Sequence, residues 1–236
     1  PYTTLFRSET PEAKLLVVDD EPNILELLAT SLKFAGFEVV TAANGRDAIT
    51  RAQEESPDLA VLDVMLPDLD GFAVTRKLRA EGRTFPIVFL TAKDDTEDKV
   101  QGLTVGGDDY VTKPFSPREL ALRVRSVLRR APSPAGVLPL NLTVGDLVVS
   151  TAARSVTIKG EQVSLTNREF DLLLFLITHT DTVFSREELL KQVWRWDFGD
   201  LSTVTVHVKR LRSKLGDHHR VQTVWGRGYL WSSSAD

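Results

Sequence analysis

Five residues in the first half of the chain have side chains that could bind a metal ion and phosphate together. Asp19 and Asp20 follow one short apolar run, Asp63 follows a second, and Thr91 and Lys113 close two more. If these runs are parallel strands, their C-terminal ends lie along one sheet edge, and the five side chains converge there. Clustered carboxylates repel one another unless a hard cation balances them. The set therefore predicts an oxygen-lined Mg²⁺ site.

The elements that must position this site alternate between short β-branched runs and segments of helical length. The strands are predicted at residues 15–18, 38–41, 59–62, 87–90 and 110–111. The first helix has Pro22 at its start and Gly36 past its end. This alternation predicts an α/β domain with a doubly wound, five-stranded parallel (flavodoxin-like) sheet. An amphipathic helix over residues 117–130 closes the domain.

The second half has a different order of elements. Short antiparallel strands are predicted at residues 147–149, 155–158 and 162–164, helices at 167–178, 185–194 and 202–215, and a hairpin at 221–231. We therefore expect an α/β domain at 13–130, a linker rich in proline at 131–142, an α+β domain at 143–232 and a tail at 233–236. Residues 1–12 precede the first periodic segment and are predicted to be a non-native or disordered leader.

Composition excludes several classes of protein. The chain is 42% hydrophobic and 26% charged, and no apolar run approaches the roughly 18 to 20 residues that cross a bilayer. It has no cysteine, which excludes disulfides and thiolate metal sites and makes the cytoplasm the expected location. Residues 12–130 hold 16 Lys and Arg against 21 Asp and Glu, while residues 131–236 hold 12 against 11. The acids are thus concentrated in the first half.

The helix predicted over Ser202–Leu215 is strongly basic. It contains four cationic side chains and no acid, and its apolar residues Val204, Val208, Leu211 and Leu215 share one stripe. The opposite face is centred on Val206, Lys209, Arg210 and Ser213, with Thr203 beside it. An exposed valine beside arginine suits a major-groove reader, through a thymine methyl and a guanine edge. Lys209, Arg212 and Thr203 are placed to meet phosphates. The alternative is a helix kept soluble by its charges.

Histidine supplies no metal site in this interpretation. His207 lies at the edge of the apolar stripe and is predicted to pack in the core. The other three histidines have no ligand spacing with it.

Four segments of the first half resemble the motifs of response-regulator receiver domains. They are LVVDDE at 16–21, VLDVMLP at 61–67, LTA at 90–92 and DYVTKPF at 109–115. The resemblance implies that Asp63 accepts a phosphoryl group from a sensor histidine kinase. It also implies that Asp19, Asp20, Asp63 and the backbone carbonyl of Met65 hold Mg²⁺. Lys113 would contact a phosphoryl oxygen, and its bond to Pro114 would be cis.

The same resemblance makes Thr91 and Tyr110 a switch. A phosphoryl group adds about two negative charges, which would draw the Thr91 hydroxyl inward, and Tyr110 could then fill the vacated space. From its position alone, Tyr110 could equally be a half-buried strand aromatic.

Four segments of the second half look like the DNA-binding domain of the OmpR/PhoB family. They are LTNREFDLL at 165–173, SREELL at 185–190, VTVHVKRLR at 204–212 and VQTVWGRGY at 221–229. The resemblance implies a winged helix with Ser202–Leu215 in the major groove and Thr223, Arg227 and Tyr229 in the wing as DNA contacts. Many wings of the family carry Arg where this chain has Trp225, so Arg227 becomes the candidate for the minor groove.

In the OmpR/PhoB family that this chain resembles, charged residues at the corresponding positions form intermolecular salt bridges between the two receiver domains of a two-fold dimer. The candidates here are Lys99 with Glu119 and Asp109 with Arg123, with Asp108 nearby. Without that resemblance, such charges would be a solvated face.

These features predict a regulator of transcription with no enzymatic activity apart from its own Mg²⁺-dependent phosphoryl transfer to Asp63 and hydrolysis from it. It is expected to bind promoter DNA as a homodimer once Asp63 is phosphorylated, with RNA polymerase as a further partner. One alternative is a phosphohydrolase with Asp63 as nucleophile, but such enzymes of the haloacid-dehalogenase type have a second Asp two residues later, where this chain has Met65. The other alternative is a DNA-binding regulator that works without phosphorylation.

Overall fold

We describe a computed structural model of the chain, covering residues 10–92, 105–129, 139–196 and 200–234. The first unit has five parallel strands in the order β2-β1-β3-β4-β5. The strands are β1 (Lys14–Val18), β2 (Glu38–Ala42), β3 (Leu59–Asp63), β4 (Ile87–Ala92) and β5 (Asp109–Lys113). The helices are α1 (Pro22–Phe34), α2 (Gly45–Glu55), α3 (Gly71–Ala80) and α4 (Pro117–Leu128).

Alternating side chains of the central strands pack against helices on the two faces of the sheet. Leu15 and Val17 of β1 share one apolar cluster with α1 and α4, and Leu16 and Val18 share the other with α2 and α3. This is the predicted doubly wound α/β fold. All five strands extend one to three residues beyond their predicted bounds, because the polar or small residues at their ends still pair with neighbouring strands.

The second unit is an α+β winged helix. A four-stranded antiparallel sheet comprises β6 (Asn141–Val144), β7 (Leu147–Ser150), β8 (Ser155–Ile158) and β9 (Glu161–Val163). Then come α5 (Asn167–Thr178), α6 (Arg186–Leu189) with a π-helical turn at Leu190–Trp194, α7 (Ser202–Leu215) and the hairpin of β10 (Val221–Val224) with β11 (Gly228–Trp231). Sequence patterning missed β6, whose first two residues it assigned to the linker, because alternation over four residues is a weak signal.

Local signals explain where the helices begin. Asn44, Asp70 and Ser116 each accept a hydrogen bond from a backbone N–H in the first turn of the helix that follows. Thr166 and Ser185 form capping boxes with glutamates three residues later. None of the helices in the described ranges is both long and apolar enough to cross a membrane.

The two units pack against each other. One continuous apolar cluster runs from Val124 and Val127 of α4 to Trp194 and Trp196 of the second unit. The Ser126 hydroxyl lies at the centre of this contact: it donates to the Trp194 carbonyl at 3.0 Å and accepts from Trp196 Nε1 at 2.6 Å. Arg168 of α5 donates to the Ser126 carbonyl. The contact is therefore both apolar and hydrogen-bonded.

Candidate functional site

Three aspartates lie together at the C-terminal edge of the parallel sheet. Asp63 ends β3, and Asp19 and Asp20 follow the neighbouring β1. One carboxylate oxygen from each lies within 4.8 Å of the others. Asp19 and Asp63 are buried, whereas Asp20 is exposed. The structure thus groups the three carboxylates that the strand pattern placed at one edge.

Lys113, the last residue of β5, links two of these carboxylates. Its Nζ donates to Asp63 Oδ2 at 2.7 Å and to Asp19 Oδ2 at 2.9 Å. Burial raises the pKa of the Asp63 carboxyl, and the ammonium opposes that rise. Burial alone would lower the pKa of Lys113, but the two carboxylates outweigh it and raise that pKa. The bond from Lys113 to Pro114 is cis, as expected.

Backbone amides hold the other oxygens of the two buried carboxylates. The amide of Glu21 donates to Asp19 Oδ1 at 2.9 Å, and the amide of Met65 donates to Asp63 Oδ1 at 3.2 Å. The donor set is thus made of oxygens only, with one exposed carboxylate at Asp20 facing solvent. Hard oxygen donors with access to water suit Mg²⁺, so the residues present fit the predicted ion.

The two predicted switch residues lie on adjacent strands. Thr91 is buried in β4, and Tyr110 is half-buried in β5, one residue after Asp109. The Tyr110 hydroxyl donates to Asp200 Oδ2 at 2.7 Å. Asp200 lies just before α7, so this aromatic side chain reaches from the receiver-like unit to the winged helix.

The core stripe of α7 agrees with the prediction. Val204, Val208, Leu211 and Leu215 are all buried. His207 is also buried, as predicted, and its ring packs edge-on against Trp194, with ring centroids 5.1 Å apart. Burial lowers the pKa of His207 to about 3, so the imidazole is neutral in the folded chain.

The prediction of which α7 side chains are exposed is wrong in part. Thr203, Val206 and Arg210 are buried, and only Lys209 of the predicted DNA contacts on this helix is fully exposed. Arg210 Nη1 donates to the Gly107 carbonyl, just before β5, at 2.8 Å. The periodicity of a helix identifies the face turned away from its own core, but it cannot reveal a second unit packed on that face.

Glu169 of α5 holds the same arginine from the other side. Its Oε1 lies 2.6 Å from Arg210 Nη2, and its Oε2 lies 2.7 Å from Lys214 Nζ. Burial disfavours the charged carboxylate, but Arg210 and Lys214 outweigh that effect and lower the pKa of Glu169. The guanidinium is thus fixed between its own domain and the receiver-like unit.

Arg212 is directed toward the wing rather than toward solvent. Its guanidinium donates to the Val221 carbonyl at 3.0 Å and to Thr223 Oγ1 at 2.8 Å. The prediction that Arg212 is free to meet phosphates is therefore corrected for this conformation. Of the other predicted wing contacts, Thr223 and Arg227 are exposed, whereas Tyr229 is buried and its hydroxyl lies 3.4 Å from Thr205 Oγ1.

The predicted dimer residues are mostly engaged within the chain. Asp108 and Asp109 were expected on the surface, but both are buried. Asp108 lies 3.6 Å from Arg79 of α3, and Arg123 lies 3.3 Å from Asp109 and 3.4 Å from Glu119. Burial raises the pKa of Asp109 to about 7, against the opposing effect of Arg123. Lys99 lies outside the described residues.

Sequence reasoning missed the residues that join the two units. Asp200 resembles an ordinary helix-capping acid, and its Oδ1 does accept from the Ser202 amide at 2.8 Å. Ser126 is a small polar residue in an amphipathic helix, and Gly107 contributes only its carbonyl. None of these has a spacing that signals a contact with a distant part of the chain.

Family models match both units. Residues 15–125 match the family described as "Response regulator receiver domain". Residues 160–231 match the family described as "Transcriptional regulatory protein, C terminal".

Curated relatives are similar over nearly the whole chain. The probable transcriptional regulatory protein TcrX of Mycobacterium tuberculosis is 43% identical, over 95% of this chain and 97% of its own. The alkaline phosphatase synthesis transcriptional regulatory protein PhoP of Bacillus subtilis is 44% identical, over 92% of this chain and 95% of its own. Transcriptional regulatory protein ResD of the same species is 44% identical, over 97% and 99%.

A solved structure shares the arrangement of both units. A mutant of RitR is 26% identical, covers 94% of this chain and 99% of its own, and aligns with a TM-score of 0.76. Together with the two family models and the relatives, this establishes a receiver domain followed by a DNA-binding domain. The chain belongs to the OmpR/PhoB family of two-component response regulators, which regulate transcription by binding DNA.

Proposed function

We propose that a sensor histidine kinase phosphorylates Asp63, and that this change releases α7 from the receiver so that the chain binds promoter DNA as a homodimer in the cytoplasm. The proposal rests on the physical connection between the aspartate cluster and α7. The aspartate and lysine cluster lies on the same sheet whose last strand, through Tyr110 and the Gly107 carbonyl, contacts the residues around α7.

The chemistry at Asp63 is transfer of a phosphoryl group. A carboxylate oxygen of Asp63 forms the new bond to phosphorus, while the bond from phosphorus to the imidazole nitrogen of the kinase breaks and its electron pair stays on that nitrogen. Mg²⁺ held by Asp19, Asp20 and Asp63, with the Met65 carbonyl as a predicted fourth ligand, would neutralise charge on the phosphoryl oxygens. The Lys113 ammonium, which donates to Asp63 in this structure, would donate one hydrogen bond to a phosphoryl oxygen instead.

Phosphorylation would reach α7 through the two switch residues. The added charge of about −2 favours a hydrogen bond from the buried Thr91 hydroxyl. Moving Thr91 opens space beside β5 into which Tyr110 can turn, and Tyr110 would then lose its hydrogen bond to Asp200. Loss of that contact destabilises the packed arrangement of the two domains.

Release of α7 would restore the predicted reading face. Val206, Arg210 and Thr203 would reach the major groove, with Lys209 beside the phosphates. The Arg123 side chain could exchange its internal partner Asp109 for the Asp109 of a second copy, and Lys99 with Glu119 would add a second pair. Dimerisation would place two winged helices on half-sites about one helical turn apart and raise affinity through avidity. RNA polymerase is the proposed further partner at the promoter.

The decisive experiment is DNA selection with the full chain, with and without acetyl phosphate and Mg²⁺. Wild type should gain one acid-stable, base-labile modification at residue 63 and should then select a repeated half-site. Asp63→Ala should gain neither, whereas Glu26→Ala, which removes an exposed acid of α1, should behave as wild type. Equal DNA binding by wild type and Asp63→Ala would instead support a regulator that works without phosphorylation.

A further inference from the structure

A cavity of about 390 Å³ lies between the two domains. The receiver lines it with the end of α3, the loop after α3 and the segment before β5, and the DNA-binding domain lines it with α7 and the segment before α5. Small-molecule sites typically measure roughly 300 to 1,000 Å³, so the cavity is large enough for a ligand. It adjoins the segment before β5, whereas Lys113 ends that strand, roughly 15 Å away. The cavity is therefore separate from the aspartate cluster.

The walls of this cavity are strongly cationic. Among the lining residues that the structure describes, none is acidic and five carry a positive charge: Arg79, Arg83, Lys209, Arg210 and Lys214. Two acids that pair with them, Asp108 and Glu169, are fully buried and lie outside the lining. Five cations against two acids leave an excess of three positive charges.

Two of these cations come together where the domains meet. Arg79 Nη2 donates to the Gly106 carbonyl at 2.8 Å. Arg210 Nη1 donates to the next carbonyl along the chain, that of Gly107, also at 2.8 Å. Burial lowers the pKa of Arg79, Asp108 opposes that effect, and the positive charge of Arg210 adds to it. The two like charges repel each other, and an anion placed beside both of them would be attracted by each.

One polar atom at this wall also has an unused hydrogen. Arg79 Nε is buried and has no hydrogen-bond partner in the part of the chain that the structure describes. Gly106 lies beside it, and a Cβ there would be 3.0 Å from this nitrogen, so a side chain would crowd the place that an acceptor would take. A buried N–H donor without an acceptor is unfavourable, and an oxygen of a ligand would relieve that cost.

We propose that this cavity binds a small anion with phosphate groups, an oligophosphate or a phosphate ester, that bridges the two domains. Phosphate oxygens are hydrogen-bond acceptors only, and guanidinium groups bind them in a bidentate geometry. Arg79 and Arg83 would hold the ligand from the receiver, and Lys209 and Arg210 would hold it from α7. The ligand is therefore bound only while the domains are packed together, and it stabilises that arrangement.

The ligand and DNA would exclude each other. Lys209 and Arg210 belong both to the cavity and to the proposed reading face of α7, so a chain that holds the ligand cannot present them to DNA. By linkage, the ligand lowers the affinity for DNA by the same factor as DNA lowers the affinity for the ligand. The binding site needs only the packed domains, whereas its effect on DNA rests on the proposed function.

The test titrates pyrophosphate and glucose 6-phosphate into the full chain by isothermal calorimetry. EDTA is present, because Mg²⁺ would complex the probes. Wild type should bind one equivalent of a probe and should melt at a higher temperature with it than without it. Tighter binding of pyrophosphate would assign an inorganic oligophosphate, and tighter binding of glucose 6-phosphate would assign a phosphate ester.

Two substitutions with the same change of net charge locate the site. Arg83→Ala removes one cation of the cavity and should weaken probe binding about tenfold. It keeps the backbone carbonyl to which Arg79 donates, so it should melt like wild type without the probe. Arg76→Ala removes an exposed cation of α3 that lies outside the lining, and it should bind the probe like wild type. At constant ionic strength, the probe should lower the DNA affinity of wild type and Arg76→Ala more than that of Arg83→Ala.

The outcomes separate this inference from the proposed function. Equal probe affinity for all three proteins, or no binding by wild type, would overturn the inference and leave the proposed function standing. Bound pyrophosphate that leaves the affinity for DNA unchanged would overturn the mutual exclusion of ligand and DNA. A chain that binds pyrophosphate but binds no DNA after phosphorylation would overturn the proposed function alone.

Discussion

The Tyr110 hydroxyl and the Asp200 carboxylate are joined by a hydrogen bond of 2.7 Å that spans the two domains. Burial, together with Asp200, raises the pKa of the Tyr110 phenol, so this group stays a donor throughout the neutral range. Asp200 uses its other oxygen to hold the first turn of α7 through the Ser202 amide. One side chain of the receiver thus bears directly on the start of the helix proposed to read DNA.

Removing that hydroxyl should favour the released state. Tyr110→Phe keeps the ring but loses a hydrogen bond to a charged acceptor, which contributes on the order of 1 kcal/mol at a half-exposed site. We expect the unphosphorylated variant to bind DNA several-fold more tightly than the unphosphorylated wild type, and small-angle scattering should show a larger radius of gyration. Arg118→Ala, an exposed position of α4, is the control and should match wild type. Unchanged dimensions and affinity would argue that the bond does not hold the domains together.

Lys113 should be important for stability as well as for phosphoryl transfer. Lys113→Ala leaves the buried Asp19 and Asp63 carboxylates without their shared cation, at a cost of roughly 3 kcal/mol. The melting temperature should therefore fall at neutral pH in EDTA, and Mg²⁺ should restore part of the loss by balancing the same charges.

Lys14→Ala is the matched control for that experiment. Lys14 also bridges two carboxylates, at 3.1 Å from Glu38 and from Glu55, but these pairs are more exposed. Its removal should lower the melting temperature less than removal of Lys113 does, and that effect should not respond to Mg²⁺. A Lys113 variant that melts like wild type in EDTA would contradict the inferred charge balance.

The neutral state of His207 predicts a dependence of stability on pH. Its pKa falls from 6.5 to about 3 on folding, so the unfolded chain binds an extra proton between those values. The stability associated with His207 is complete above pH 6.5 and is lost as the pH falls toward 3, by up to about 1.4 kcal/mol for each pH unit. Urea unfolding of wild type and His207→Phe across this window should show a steeper rise of stability with pH in wild type than in the variant, whose remaining slope comes from its carboxyl groups. Parallel curves would indicate that the ring titrates normally.

Because of its close packing, Gly228 should tolerate substitution by alanine less well than Gly226, the other glycine of the wing. Phe184 and Tyr229 form a backbone bridge of two hydrogen bonds, each 2.9 Å long. Gly228→Ala would place a Cβ 1.9 Å from the Phe184 carbonyl oxygen at a φ of +147°, so the backbone at this bridge has to shift. Gly226→Ala meets nothing within 4 Å and suffers only the strain of its positive φ, roughly 1 kcal/mol. We expect Gly228→Ala to lower the free energy of unfolding by well over that amount, measured by urea denaturation. Equal effects of the two substitutions would count against a close contact between Gly228 and the Phe184 backbone.

Local patterns in the sequence were sufficient to predict the doubly wound α/β fold, the α+β class of the second domain and the acidic site, whereas the winged helix followed from the family resemblance. The Asp19, Asp63 and Lys113 positions each follow a buried strand, and parallel strands bring their C-terminal ends to one edge whatever the details of packing. The apolar stripe from Val204 to Leu215 likewise followed from helical periodicity alone. These inferences hold because each depends on contacts within one element or one sheet.

Only the tertiary structure decided which faces those elements leave open. Val206 and Arg210 are buried, and Arg210 bonds to the Gly107 carbonyl, 103 residues earlier in the chain. Asp109 pairs with Arg123, and Arg212 donates to Thr223 of the wing. Each of these contacts joins two different elements, so the pattern within one element does not reveal it. Helical periodicity identifies the face of a helix that is turned away from the core of its own domain. It carries no information about a second domain that packs on that face. The bond between Tyr110 and Asp200, 90 residues apart, is of this kind: neither residue signals the other until the domains meet.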